Sequence, residues 1–228
     1  MKKILLGATL VLGLTAYAET IPAEKIIVEE TIVDVIQVKE ATAKDLQLSI
    51  FPGLSIGASK ENSISKFSLN LLGATNQHVT GLDLSLIGFR TVEGDFKGQH
   101  LSLIPIEKFT VKGNLNGGSF SLWNDIEGTV NGSVFGLVNT INDANGGAGG
   151  LVNLVKGDIV STFGLVSIVD GTVNKQFGLI NRAEAVSGVQ FGLVNSTKNL
   201  DGVQIGLVNH ATNGVLQVLP LVNFRKTL

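Results

Sequence analysis

Apolar and polar positions alternate through much of this chain, and toward its C-terminal end the alternation acquires a second, longer period. In residues 188–201, Val189, Phe191 and Leu193 alternate with Gln190, Gly192 and Val194, and the following Ser196-Thr197-Lys198-Asn199 is polar and turn-forming. The next copy sets Val203, Ile205 and Leu207 against Gln204, Gly206 and Val208. A period of two is that of a β-strand with one strongly apolar face. The Phe and Leu of each copy are therefore expected to point inward and the Gly outward. Helix is excluded, because Gly and β-branched residues fill these segments and no 3.6-residue stripe runs through them.

The longer period is carried by one phrase. Gly136-Leu137-Val138-Asn139 returns as Gly150-Leu151-Val152-Asn153, Gly164-Leu165-Val166-Ser167, Gly178-Leu179-Ile180-Asn181, Gly192-Leu193-Val194-Asn195, Gly206-Leu207-Val208-Asn209 and Pro220-Leu221-Val222-Asn223, each 14 residues after the last. Such strict self-similarity signals a repeat architecture. Imperfect copies extend upstream. With Asn70, Ser85, Ser102, Ser121 and Gly136 taken as equivalent, the intervals are 15, 17, 19 and 15 residues.

Two all-β architectures fit a 14-residue strand-plus-turn unit: a β-solenoid with one coil per repeat, or an antiparallel meander, including an outer-membrane β-barrel, with one strand per repeat. Register favours the solenoid. If two-residue turns such as Asp170-Gly171 joined antiparallel strands, Gly164 would lie opposite Phe177. Successive stripes would then fall on opposite faces, since a one-residue offset flips every side chain. In stacked coils Phe163, Phe177 and Phe191 form a column, and Asn139, Asn153, Asn181, Asn195, Asn209 and Asn223 form an amide-bonded ladder at a corner. The copies also lack the two-unit superperiod of an up-and-down barrel, and the chain, with one Trp and one Tyr, lacks aromatic girdles. Eleven or twelve coils are expected, spanning roughly 50–60 Å.

The N-terminal end reads as an address. Lys2 and Lys3 precede the apolar run from Ile4 to Leu14, and Ala16-Tyr17-Ala18 fits a signal-peptidase site, so residues 1–18 are expected to be a cleaved signal peptide. Residues 19–45 form a charged segment or cap, and 46–228 a single β-repeat domain with irregular units at 46–120 and regular ones at 121–228. Removing Lys2 and Lys3 takes the net charge from −2 to about −4, which argues against a nucleic-acid partner. The absence of Cys excludes disulfides, thiolate chemistry and a lipid anchor.

No residue set points to catalysis, a cofactor or a metal. His78, His100 and His210 fall in different units without a neighbouring carboxylate cluster, so each is expected on the surface or in a turn. Asp143, Asp158, Asp170, Glu184 and Asp201 read as solubilising turn charges. Trp123 takes a position filled by Val in other copies, which suggests a core or capping role. Gly146-Gly147-Ala148-Gly149-Gly150 lacks the Gly-Lys-Ser/Thr ending of a phosphate loop, and Asn142-Asp143-Ala144-Asn145-Gly146-Gly147 occurs once, unlike calcium-binding repeats; both are expected to be flexible turns. The structural positions are instead the repeat residues: Phe163, Phe177 and Phe191; Gly164, Gly178, Gly192 and Gly206; Leu165, Leu179, Leu193 and Leu207; and the Asn series.

The phrase Gly-Val-Gln-Phe/Ile-Gly-Leu-Val-Asn, at residues 188–195 and 202–209, resembles the tandem units of short-repeat surface proteins of diderm bacteria. The lead-in Leu48-Ser49-Ile50-Phe51-Pro52-Gly53-Leu54-Ser55, followed by Phe67-Ser68-Leu69-Asn70-Leu71-Leu72-Gly73, is similar to theirs. The resemblance covers most of residues 46–223 but not a lipidation Cys. It implies an exported cell-envelope protein, in the periplasm, outer membrane or cell surface, with a structural or adhesive role toward an envelope or host surface component. The alternative is an outer-membrane barrel acting as a pore or lipid-facing protein.

Overall fold

The computed structural model describes residues 43–58, 62–104 and 106–226, so the expected signal peptide and almost all of the charged 19–45 segment lie outside the described residues. Successive units stack parallel and in register. Val138 pairs with Val152, Val152 with Val166, Val166 with Ile180, Ile180 with Val194 and Val194 with Val208. The fold is an all-β solenoid of about ten turns. The antiparallel meander and the barrel are excluded, because a constant interval with stripes in one phase is satisfied only when each strand lies directly above its predecessor. The irregular upstream units join the same stack, with Asn70 opposite Ser85 and Ser85 opposite Ser102.

Each coil is flattened into two strand segments with their inner faces together. One layer contains the strands Val79–Ser85, Phe96–Ser102 and Leu115–Phe120; the other contains Gly73–Asn76, Gly88–Val92 and Glu107–Val111. In the regular part a single strand, such as Val166–Phe177 or Ile180–Phe191, bends from one layer into the other. The chain turns sharply only at the Gly-Leu corner between such strands. The expected flexible turn at Gly146–Gly150 is largely strand instead, since Val138–Gly149 is continuous. Its glycines face backbone and rings: a Cβ on Gly149 would lie 2.7 Å from the Phe135 ring.

The phase of the alternation is opposite to the expectation. Phe163, Phe177 and Phe191 do form an in-register column, but on the outside, with exposures of 71%, 38% and 53%. Leu165, Leu179, Leu193 and Leu207 project outward at the corner as well, 47–61% exposed. The inward positions beside the corner belong to Gln176, Gln190 and Gln204 and to the Asn ladder, all fully buried. The amides tie coil to coil there: Asn153 Nδ2 donates to the Phe163 carbonyl of the next coil, which also accepts from the Gly150 amide, a bond that Leu or Phe could not make. Ordinary apolar packing fills the other half of the interior, toward the gentler bend, with Val111, Ile126, Ile141, Val169 and Val173 in one layer or the other.

The corner Gly has a packing role. A Cβ on Gly164 would come within 2.6 Å of the Gly150 carbonyl oxygen and 2.7 Å of Asn153 Nδ2. A second glycine column lies mid-strand, where Gly98 and Gly117 take φ of 144° and 137° and pair with each other. There a side chain would overlap the carbonyl oxygen of the coil below.

Both ends of the stack are closed by antiparallel strands. The strand Leu54–Ile56 folds back on Lys44–Phe51 through Pro52-Gly53. At the other end Val218–Phe224 pairs antiparallel with Val203–Ala211, so the seventh copy of the phrase does not stack as a coil. Pro220 has no N–H to give a parallel ladder, and Leu221 adopts φ 68°. Asn223 is buried but bonds locally, to the Leu216 carbonyl and through its Oδ1 to the Phe224 amide, and so lies outside the Asn ladder. These reversals reduce the expected eleven or twelve coils to about ten turns.

Candidate functional site

Three rows of outward side chains meet at the Gly-Leu edge. The row before the corner runs Leu48, Leu69, Leu84, Leu101, Phe120, Phe135, Gly149, Phe163, Phe177, Phe191 and Ile205, each in register with the next. The corner row contains Leu137, Leu151, Leu165, Leu179, Leu193 and Leu207. The row after it contains Phe89, Lys108, Trp123, Val138, Val152, Val166, Ile180, Val194 and Val208, again in register. Among the described residues of these rows one is charged, Lys108, which sits 5.0 Å over the Trp123 ring and 2.6 Å from Asp125. Trp123 is thus a surface residue of this edge, 43% exposed, and not part of the core. It follows the outward phase of the Val row to which it belongs.

The opposite edge is polar. Glu93, Asp95, Glu127, Asp143, Asp158, Asp170, Glu184 and Asp201 gather at the gentler bend. Several also join coils: Asp143 Oδ1 accepts from the Asp158 amide at 2.9 Å, and Asp158 Oδ1 from the Thr172 amide at 2.6 Å. The turn carboxylates are therefore structural caps as well as solubilising charges.

Inside the corner, the Asn ladder uses both amide hydrogens. Asn195 Nδ2 donates to Asn209 Oδ1 at 2.8 Å and to the Ile205 carbonyl at 2.9 Å. Asn124, Asn139 and Asn181 do the same toward the coil above. A parallel Gln ladder runs from Gln204 to Gln190 and from Gln190 to Gln176, at 2.7 and 2.6 Å.

In the irregular coils this inner polar band becomes ionic. Asp83 and His100 occupy the row taken later by Gln, and Arg90 is aligned with Phe109 and Asn124 in the row taken later by Asn. His100 Nδ1 lies 2.9 Å from Asp83 Oδ2 and Nε2 lies 3.2 Å from Glu107 Oε2, while Arg90 Nε donates to Asp83 Oδ2 at 2.9 Å. All four side chains are sealed from solvent. His100 stacks on Phe109 with ring centroids 3.8 Å apart. Both ring nitrogens face carboxylate oxygens, an arrangement that favours the imidazolium form, in which both can donate. Burial alone pushes His100 down, but its bonds to Asp83 and Glu107 and their charges outweigh that, and the net shift is upward. Burial likewise pushes Asp83 up; the charge of Arg90 and the bond and charge of His100 overcome it and hold the carboxyl well below the usual range. The two carboxylates bind opposite nitrogens and do not converge on a point where a metal ion would sit.

The expectation of a surface or turn position therefore fails for His100. His78 is exposed and accepts from the Asp95 amide at 2.9 Å, and His210 is half-buried opposite Ser196. A signal for the cluster was present in the sequence. Asp83 and His100 are 17 residues apart, the same interval as Ser85 and Ser102, which places them at one position of adjacent coils.

These features define a β-solenoid with an apolar outer edge and an inner polar band. Compared with known proteins, the chain matches no family model, no curated protein and no solved structure.

Proposed function

We propose that this chain is an exported, non-enzymatic repeat protein of the bacterial cell envelope, an elongated scaffold that docks through its Phe-Leu-Val edge. The observation that carries the reading is the in-register apolar row from Leu48 to Ile205, broken only by the notch at Gly149, on the outside of the stack. Contiguous exposed apolar surface of this kind marks an interaction site. The Lys2-Lys3 leader and the resemblance to diderm surface-repeat proteins support export. The assembled acid–base cluster supports a non-catalytic role, because Asp83, His100 and Glu107 have no solvent-exposed side-chain surface through which a substrate would reach them.

Expression of the tagged full chain in a diderm host tests the reading. The expected product begins at Glu19 and fractionates with the envelope. A chain that keeps its leader and stays in the cytosol overturns it.

A further inference from the structure

The apolar edge needs an occupant, and its shape and charge narrow the choice. With about ten turns at ~4.8 Å each it is ~48 Å long, and it is about as wide as the ~10 Å between two packed layers. Its accessible apolar surface, carried by rows of Phe, Leu and Val side chains that are half exposed or close to it, exceeds the few hundred Å² of the patches usual on soluble monomers. The edge is also convex. Its hollows are notches between its own side chains, such as the one at Gly149 bounded by Phe120, Leu122, Phe135, Leu137 and Phe163. A second copy of this ridge offers no groove to receive it, whereas acyl chains rearrange around a ridge.

The carboxylates are sorted away from this edge, whereas cations lie at both, with Lys112, Lys156 and Lys198 at the gentler bend. Lys175 lies in the row bordering the Phe side and Arg182 in the row bordering the Val side, and Lys108 sits on the edge itself. The surface carboxylates at the gentler bend stand about five residues of strand away, ~16 Å. Asp125, the acid close to the edge, is paired with Lys108.

We infer that the Phe-Leu-Val edge is a bilayer-docking surface, with the solenoid axis lying along the membrane plane and the Phe, Leu and Val side chains seated among the acyl chains. This rests on the docking role proposed above and names its partner as lipid. Insertion of 5–10 Å, usual for interfacial elements, matches the reach of one layer of side chains. Lys175 and Arg182 then extend to the headgroups, as long cationic side chains do at such boundaries. Among the described residues no helix is long and apolar enough to cross a membrane, and edge-on docking needs none.

The single Trp of the chain lies on this edge and serves as the probe. The mature chain, residues 19–228, is mixed with vesicles of phosphatidylcholine, alone or with phosphatidylglycerol, and floated on a density gradient. The expected result is co-flotation with both, a blue shift of Trp123 emission and quenching by brominated acyl chains. The variant Phe163→Ser/Leu165→Ser/Phe177→Ser/Leu179→Ser, altered only at exposed positions, is expected to keep its β circular-dichroism spectrum and to lose about tenfold or more in partitioning. Lys156→Ser, at the opposite edge, is expected to float like the parent. Protein that stays at the bottom of both gradients with unshifted emission overturns the inference. So does a discrete dimer by light scattering that loses its dimeric mass in the four-Ser variant, which would assign the edge to a second copy. Either outcome leaves the export reading standing, since that is judged by leader removal and fractionation.

Discussion

Asn139 donates from Nδ2 to Oδ1 of Asn153, one coil along, at 2.8 Å, with both side chains fully buried. The run then breaks. Asn153 donates to the hydroxyl of Ser167 at 3.2 Å, and Oδ1 of Asn181, which Ser167 does not reach, has no hydrogen-bond partner. Ser167→Asn would place an amide below Asn181 in the geometry already present at Asn181–Asn195. A buried acceptor gains a partner, so a stability increase of about 1 kcal/mol is expected in urea unfolding. An unchanged or lower midpoint would mean that the Ser167 coil has no room for the larger side chain.

The converse substitution tests the intact part of the ladder. Asn195→Ala removes both donors, to Asn209 and to the Ile205 carbonyl, and the acceptor for Asn181. Stranding these buried groups is expected to cost about 1–3 kcal/mol. Asn195→Ser is expected to cost less, because Ser is already accommodated at the equivalent position 167.

At the corner the structure reverses the roles that the alternation suggested for Gly and Leu. Gly164→Ala forces a methyl group against the Gly150 carbonyl and the Asn153 amide, and a loss of about 1–3 kcal/mol is expected. Leu165→Ala trims an exposed side chain and is expected to stay within about 0.5 kcal/mol. Thermal unfolding of the two variants decides the matter. A more damaging Leu165→Ala would return the Leu to the core.

Why the repeat was legible and its phase was not follows from those same residues. The constant spacing of Gly164, Gly178 and Gly192 fixes which residues stack, and stacking alone yields the Phe163–Phe177–Phe191 column and the Asn ladder. Period two, however, has two phases, and hydrophobicity chooses between them only when the interior is apolar. Here Gln190 and Asn195 are inside and Phe191 and Leu193 outside, because the inner corner band is built of amides that bond from coil to coil. The Asp83–His100 pair escaped for another reason. Its coils have pitches of 15 to 19 residues, so residues that touch across the stack share no constant spacing. The reversal of the last copy was hinted at only by Pro220 taking the place of Gly.

The buried ionic cluster sets the pH range of stability. His100 is raised from its ordinary 6.5 by two carboxylates, so its contribution is complete below about pH 6.5 and is lost as pH climbs through the higher folded value. Asp83 is depressed from 3.8, so its contribution is complete above that value and is lost as pH falls toward the lower folded one. Maximal stability is therefore expected between about pH 4 and 6.5. On the alkaline side, neutral His100 withdraws its charge from buried Asp83, which keeps Arg90 as its cationic partner. His100→Gln puts that loss of charge in place at every neutral or mildly acidic pH. It is expected to cost about 3–5 kcal/mol at pH 6, as removal of one partner of a buried pair does. It should also flatten the alkaline limb, since the titrating group is gone. Guanidinium unfolding midpoints measured from pH 4 to 10 for both proteins provide the check, and parallel profiles above pH 7 would show that His100 is not the group that titrates.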